Sequence, residues 1–214
     1  MVADILKDVE AATFDVFGTT LDWLHSIMAV TGLSEKDVKA WRRTYFDPEL
    51  RKLHPVTTDL YRAGLRVIGK APEDPELEDK WVNAWAHLKP FPDVIPGLTE
   101  LRKHIIVGAL SNAYVRMLVE QERYAGFTWD LVMGSDLAGC YKPDPRMYQK
   151  AAQLLRVDPS KIVMVAAHKQ DLEAASKQGF RTIYVYRETE DDTYEFTPDF
   201  SVSSFEELAP LFAT

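Results

Sequence analysis

The sequence predicts an α/β protein built on a doubly wound parallel sheet that is interrupted by an inserted helical segment. Three observations carry this prediction. Short apolar runs of strand length alternate with amphipathic stretches of helix length along most of the chain, and nearly all of the runs are bounded by Gly, Asp, Ser or Asn. Alternation of this kind belongs to parallel sheets with helices packed on them. Nearly ninety residues separate the first run from the second, whereas a simple crossover needs far fewer.

The strand candidates are Ala12–Phe17, Ile105–Leu110, Leu131–Met133, Ile162–Ala166 and Thr182–Tyr186. Helices are predicted over Ala113–Tyr124, Pro145–Leu155, Leu172–Gln178 and Ser204–Phe212, with Pro143-Asp144-Pro145 opening the second of them. The long first connection reads as helical throughout. Ser34 is placed to cap a helix over Glu35–Arg51, and Asp37, three residues on, completes a loose capping box. Helices over Thr57–Ile68 and Glu76–Leu88 follow, with Pro55, Pro72, Pro75, Pro90, Pro92 and Pro96 at the joints. The expected organisation is a Rossmann-like α/β core from residues 1–20 and 93–214 and a helical cap from residues 21–92. The acidic stretch Glu188–Asp192 reads as a solvated loop.

Composition narrows the function classes. Hydrophobic residues at 46% and charged residues at 27% are ordinary for a soluble globular chain. Apolar runs no longer than a strand exclude a transmembrane span, and the first ten residues lack a signal peptide's apolar stretch. Cys140 is the one cysteine, so an intramolecular disulfide is excluded and a cytoplasmic setting is expected. A net charge of −8 opposes a nucleic-acid backbone or an anionic membrane as partner. The expected partner is a small-molecule substrate. A homodimer is left open.

In an open parallel sheet, ligands bind beyond the carboxyl ends of the strands. The first strand runs out into Asp15-Val16-Phe17-Gly18-Thr19-Thr20, the second into Ser111-Asn112, the third toward Cys140-Tyr141-Lys142-Pro143, and the fourth into Ala166-Ala167-His168-Lys169-Gln170-Asp171. An acid, a hydroxyl, a lysine and a second acid thus recur in order, one per strand end. Asp171, Ser111 and Asn112 each also suit the start of a helix, and Tyr148 suits an amphipathic helix core.

This order resembles the four-motif signature of the haloacid dehalogenase superfamily and spans nearly the whole chain. Asp15 matches its nucleophile, Thr19 the neighbouring hydroxyl, Ser111 the second motif, Lys142 the third and Asp171 the fourth. The resemblance implies a carboxylate that attacks carbon or phosphorus and is freed by hydrolysis of the resulting ester. Lys142 would keep Asp15 ionised, and Asp171 would serve the water. Two departures select the branch. Superfamily phosphatases carry a second Asp two residues after the nucleophile, to protonate an alkoxide; here that position is Phe17. They also hold magnesium with an acid where this chain has Ala167. A halide leaves without a proton, so both changes point to the L-2-haloacid dehalogenase branch, which shares the aromatic substitution and needs no metal or other cofactor. Tyr148, six residues after Lys142, matches a site tyrosine of that branch.

The expected function is hydrolytic dehalogenation of a short 2-haloalkanoic acid. Asp15, Lys142 and Asp171 are the catalytic residues. Thr19, Ser111, Asn112 and Tyr148 bind the substrate with a cap arginine, Arg51 by preference over Arg42 and Arg43. Leu24 stands where relatives often have arginine, and His168 where the branch has asparagine; His168 reads as structural. These two changes, with the many cap aromatics, support an alternative: the scaffold repurposed for a non-hydrolytic step, such as a cyclisation, on a larger apolar substrate. Trp81, Trp85 and Phe91 are expected to pack the cap, and Cys140 to be a buried thiol.

Overall fold

The computed structural model of the chain describes residues 6–53, 57–190 and 193–213; Pro55, Asp191 and Asp192 lie outside them. The chain divides into two compact units, one reaching to Asp22 and resuming at Pro90, the other Trp23–Lys89.

The first unit is built on a six-stranded sheet whose paired strands all run parallel. Its strands are β1 (Ala11–Phe14), β2 (Ile106–Leu110), β3 (Leu131–Met133), β4 (Ile162–Ala166), β5 (Arg181–Val185) and β6 (Phe200–Val202), in the order β3-β2-β1-β4-β5-β6. Every residue of β1 and β4 is buried. Burial on both faces is why these strands read as unbroken apolar runs and not as alternating ones. The sheet order reverses between β1 and β4, since the chain leaves β1 toward β2 on one side and returns to β4 on the other. A crevice forms at such a reversal, beyond the carboxyl ends of the two strands.

The expected strands are present within about one residue at most ends, apart from Ala12–Phe17, which stops at Phe14 because the chain turns there. Helix Pro145–Leu155 has its predicted bounds: Asp144 accepts from the Arg146 amide, and Pro145 occupies the first turn, where its missing N–H costs nothing. Unpredicted elements among the described residues include the helix Val94–Leu101, the short helix Ser135–Ala138 and the edge strand β6. Ser204–Phe212 is a 3-10 turn, Phe205–Glu207, followed by a short helix, Ala209–Phe212. Pro210 cannot donate within a continuous helix.

The second unit is built of helices. Ser34 caps Glu35–Thr44 by accepting from the Asp37 amide, and its hydroxyl donates to the Asp37 carboxylate at 2.8 Å. The helix predicted over Glu35–Arg51 is interrupted: Asp47 accepts from the amides of Glu49 and Leu50 and starts Pro48–Leu53 afresh. The core of this unit is aromatic. The rings of Tyr61 and Trp85 stack at 4.2 Å, Trp41 meets Trp85 edge-on at 5.2 Å, and the Trp41 indole N–H donates to the Tyr61 carbonyl at 2.8 Å. Leu24 is buried in this unit as well. Phe91 belongs to the first unit, where the Arg187 guanidinium lies 4.2 Å over its ring. Among the described residues, no helix is long and apolar enough to cross a membrane.

Candidate active site

The site grows out of the turn that follows β1. The Asp15 amide still donates to Val165, so the residue is held on the ladder one step past the strand. The chain then reverses tightly: the amides of Thr20 and Leu21 both donate to the Val16 carbonyl, the Gly18 amide donates to Leu21, and the Thr20 hydroxyl donates to the Asp15 carbonyl at 2.8 Å. Gly18 has a φ of +79°, a backbone region that side chains disfavour. The carboxylate of Asp15 is thereby fixed at the sheet reversal.

Four donors converge on two carboxylates. The Lys142 ammonium donates to Asp15 Oδ1 at 2.7 Å and also to Asp171 Oδ2. The Thr19 hydroxyl donates to Asp15 Oδ2 at 2.9 Å while accepting from the Ala167 amide at 2.9 Å. The Tyr148 hydroxyl donates to Asp171 Oδ1 at 2.5 Å. His168 Nδ1 stands 2.9 Å from Asp15 Oδ2. Asp15, Thr19, Ser111, Tyr148 and Asp171 are all buried.

Asn112 has a role the sequence does not reveal. Its side-chain oxygen accepts from the Lys142 amide at 2.6 Å, and its side-chain nitrogen donates to the Lys142 carbonyl at 3.3 Å. The carboxamide clasps the backbone of the very residue whose ammonium bridges the two acids. Ser111 directly follows β2, with its amide donating to the Met133 carbonyl and its Oγ accepting from the Ala113 amide at 3.3 Å.

Electrostatics separate the two acids. Burial pushes the Asp15 carboxyl up, but the Lys142 charge and the bond and charge of His168 outweigh it and hold it well below the usual carboxylate range. Burial and the Asp15 charge hold Asp171 above its ordinary value, against the pull of Lys142. Burial lowers the Lys142 ammonium, but the charges of Asp15 and Asp171 more than restore it, leaving it above its ordinary value. Two titratable groups whose surroundings push them apart are suited to different duties: Asp15 stays ionised, and Asp171 is the more basic of the two.

His168 and Glu190 sit otherwise than the sequence suggests. His168, expected to be structural, touches the Asp15 carboxylate directly, and its Nε2 lies 2.9 Å from Glu190 Oε2. Burial opposes charge on this ring, but its bonds to Asp15 and Glu190 prevail and push it up to about 10. Glu190, expected in a solvated loop, is turned inward with its side chain only 11% exposed; Glu188 does face solvent. Histidine at the end of β4 was visible in the sequence, but nothing there paired it with an acid twenty-two residues on.

In the second unit, Arg43 is exposed. Arg42 donates to the Tyr61 hydroxyl at 3.0 Å, with its guanidinium 4.8 Å from the Tyr45 ring and 4.9 Å from that of Phe46. Arg51 donates from Nε to the Tyr45 carbonyl at 2.6 Å and lies 4.7 Å over the same ring. Trp85 is fully buried in the aromatic core, as expected.

The profile of a family described as haloacid dehalogenase-like hydrolase matches residues 9–179. The (S)-2-haloacid dehalogenase 4A of Burkholderia cepacia is 30% identical, with 98% of this chain and 97% of that protein covered. The crystal structure of the L-2-haloacid dehalogenase PA0810 is 29% identical with a TM-score of 0.87, covering 96% of this chain and 100% of that one. A glyceraldehyde 3-phosphate phosphatase of Methanopyrus kandleri is 32% identical over 72% of this chain and 70% of its own length.

Proposed function

The chain belongs to the haloacid dehalogenase-like hydrolases, in their L-2-haloacid dehalogenase branch, and on that premise we propose that it dehalogenates short 2-haloalkanoic acids through an ester at Asp15. The observation that carries this reading is the buried Asp15–Lys142–Asp171 bridge, together with Phe17 at the place where a phosphatase needs its proton donor. Asp15 displaces halide from the carbon next to the substrate carboxylate. Lys142 keeps Asp15 ionised, and Asn112 holds Lys142. Ser111 receives the carboxylate end of the substrate, while the Thr19 hydroxyl stays on Asp15 Oδ2. Asp171, oriented by Tyr148, takes a proton from the water that cleaves the ester. Mixing the enzyme with (S)-2-chloropropionate tests the reading: chloride is released, and intact-mass analysis after rapid quenching detects an adduct on Asp15. The absence of both would overturn it.

Metal independence is part of the proposal. The Asp15 and Asp171 oxygens are engaged by Lys142, Thr19, His168 and Tyr148, and Ala167 offers only its backbone. A magnesium ion asks for several free oxygen ligands. Chloride release is expected to be unchanged in excess chelator; a loss that magnesium restores would place the chain with the phosphatases. The buried free thiol of Cys140 suits a reducing compartment, and the cytoplasm is the proposed location.

A cap arginine serves the substrate anion. The sequence favours Arg51, but the surroundings of Arg42 fit the duty better: its guanidinium is held by the Tyr61 hydroxyl and flanked by aromatic rings, so little rotamer freedom is lost on binding. Arg42→Ala is expected to raise KM and lower kcat together, for a combined loss of roughly 10²–10³ in kcat/KM. Arg51→Ala is expected to cost less, and Arg43→Ala almost nothing. Steady-state kinetics on the three variants checks the ranking; if Arg43→Ala proves as damaging as Arg42→Ala, the assignment is wrong.

A further inference from the structure

We infer that His168, held doubly protonated by Glu190, is a catalytic residue of the second half-reaction, donating a hydrogen bond to the oxyanion that forms when water attacks the Asp15 ester. The inference rests on the dehalogenase reading above and adds a dyad, His168–Glu190, to it.

The first observation is the ring's position between two carboxylates, 2.9 Å from Asp15 Oδ2 through Nδ1 and 2.9 Å from Glu190 Oε2 through Nε2. A neutral imidazole has one N–H and one lone pair, so it would turn a lone pair on one carboxylate. Only the imidazolium donates to both. With no lone pair left, His168 cannot take a proton from water, and that duty stays with Asp171.

The second observation is how Glu190 reaches the ring. Its carboxylate lies over Gly18, where a Cβ would come within 2.3 Å of Glu190 Oε1. The turn that carries it is anchored: the Glu190 amide donates to the Arg187 carbonyl, Arg187 Nε donates to the Thr19 carbonyl at 2.9 Å, and Arg187 Nη1 donates to Asp93 at 2.8 Å. The glycine of the first motif thus makes room for an acid that arrives from the other end of the chain. The charged groups around the ring are Asp15 from the β1 turn, Glu190 from the turn after β5, and Lys142 on the far oxygen of Asp15.

The third observation is the unequal load on the Asp15 oxygens. Oδ2 accepts from Thr19 and His168, and Oδ1 from Lys142. Oδ1 is the better nucleophile, because attack through Oδ2 would break one of its two bonds. Oδ1 therefore bonds to the substrate carbon as halide leaves with the C–X electron pair, and Oδ2 becomes the ester carbonyl oxygen. Water then bonds to Cγ while one of its protons passes to Asp171, and the carbonyl π pair moves onto Oδ2. Thr19 and His168 already stand at that oxygen when it becomes an oxyanion. As the intermediate collapses the pair returns, the Cγ–Oδ1 bond breaks, and the departing oxygen takes the proton from Asp171 to give the 2-hydroxy acid. The water's second proton leaves for solvent, and Asp15 is again a carboxylate.

The experiment separates the two half-reactions. Wild type, His168→Ala, His168→Asn and Glu190→Gln are mixed in excess over (S)-2-chloropropionate, rapidly quenched, and assayed for chloride and for protein-bound ester. His168→Ala is expected to release chloride within about tenfold of the wild-type rate, but to hydrolyse the ester roughly 10²–10³-fold more slowly, so that ester accumulates. His168→Asn, which restores a neutral donor, is expected to recover part of the loss. In wild type the hydrolysis rate is expected to fall as pH rises through about 10, and in Glu190→Gln this fall is expected to move down toward an ordinary histidine value. A purely structural His168 would leave that profile in place. Unchanged ester hydrolysis in His168→Ala, or equal slowing of both steps, would overturn the assignment. So would nitrogen-15 NMR showing a neutral His168 ring at pH 8 in the wild-type enzyme, a readout that does not depend on turnover. If wild type itself neither releases chloride nor forms an ester, the dehalogenase reading fails and this inference with it; chloride release with indifferent variants sinks the inference alone.

Discussion

Replacing Asp15 by Asn is expected to lower turnover of (S)-2-chloropropionate by on the order of 10⁴–10⁶-fold, the scale on which loss of a nucleophile registers. The neutral amide cannot displace halide at a useful rate, and no ester can form. The substitution is nearly isosteric, so the β1 turn should persist: its bonds from the Thr20 hydroxyl and from the Thr20 and Leu21 amides go to backbone oxygens and not to the side chain. The folded spectrum and the thermal transition are measured beside the kinetics. A folded Asp15→Asn enzyme with near-normal rates would end the covalent mechanism, and the repurposed-scaffold alternative would then have to be taken up.

Lys142→Ala is expected to damage both function and stability. Its ammonium is buried and bridges Asp15 and Asp171. Removing one partner of a buried ionic cluster leaves uncompensated charge and typically costs about 3–5 kcal/mol. The two acids would then face each other without the cation, and the pair would hold a proton at pH values where wild-type Asp15 is ionised. A protonated nucleophile is inert, so kcat/KM at neutral pH should fall by roughly 10²–10⁴-fold. The pH profile distinguishes this from simple misfolding: part of the activity should return as pH rises and Asp15 ionises. A Lys142→Ala enzyme whose acid limb stays where wild type has it would sink the account. Stability follows the same signs. Asp15, lowered in the folded state, contributes stability that is present above its ordinary value of 3.8 and is lost as pH falls below it. His168, raised to about 10, contributes stability that is full below 6.5 and is lost as pH climbs through 10.

Much of the sheet was legible because its central strands are buried on both faces, and burial writes itself into sequence as uninterrupted apolar runs such as Ile162–Ala166. The elements that escaped notice had weaker signals. β6 is three residues long and includes an exposed serine, and the helix over Val94–Leu101 begins among prolines that read as joints. The predicted helix over Glu35–Arg51 failed at one point, where Pro48 permits a helix to start but not to continue.

The sequence by itself determined the fold class and, through the motifs that resemble a known family, pointed to the frame of Asp15, Thr19, Ser111, Lys142 and Asp171, which lie in the segments that follow the strands and can be read from local pattern. Only the tertiary structure decided what the frame does with its neighbours. It set Asn112 against the Lys142 backbone, put two donors on one oxygen of Asp15 and a single one on the other, and brought Glu190 over Gly18 to meet His168. Thr19 and Asp15 are four residues apart and could be paired by inspection; Lys142 and Asp15 are separated by 127 residues, and Glu190 and His168 by 22. Contacts across such distances are fixed by the packing of whole elements on the sheet, and hydrogen bonds of this kind leave no periodic trace along the chain. His168 beside Asp15 therefore looks like any loop histidine until the fold supplies its second partner, Glu190.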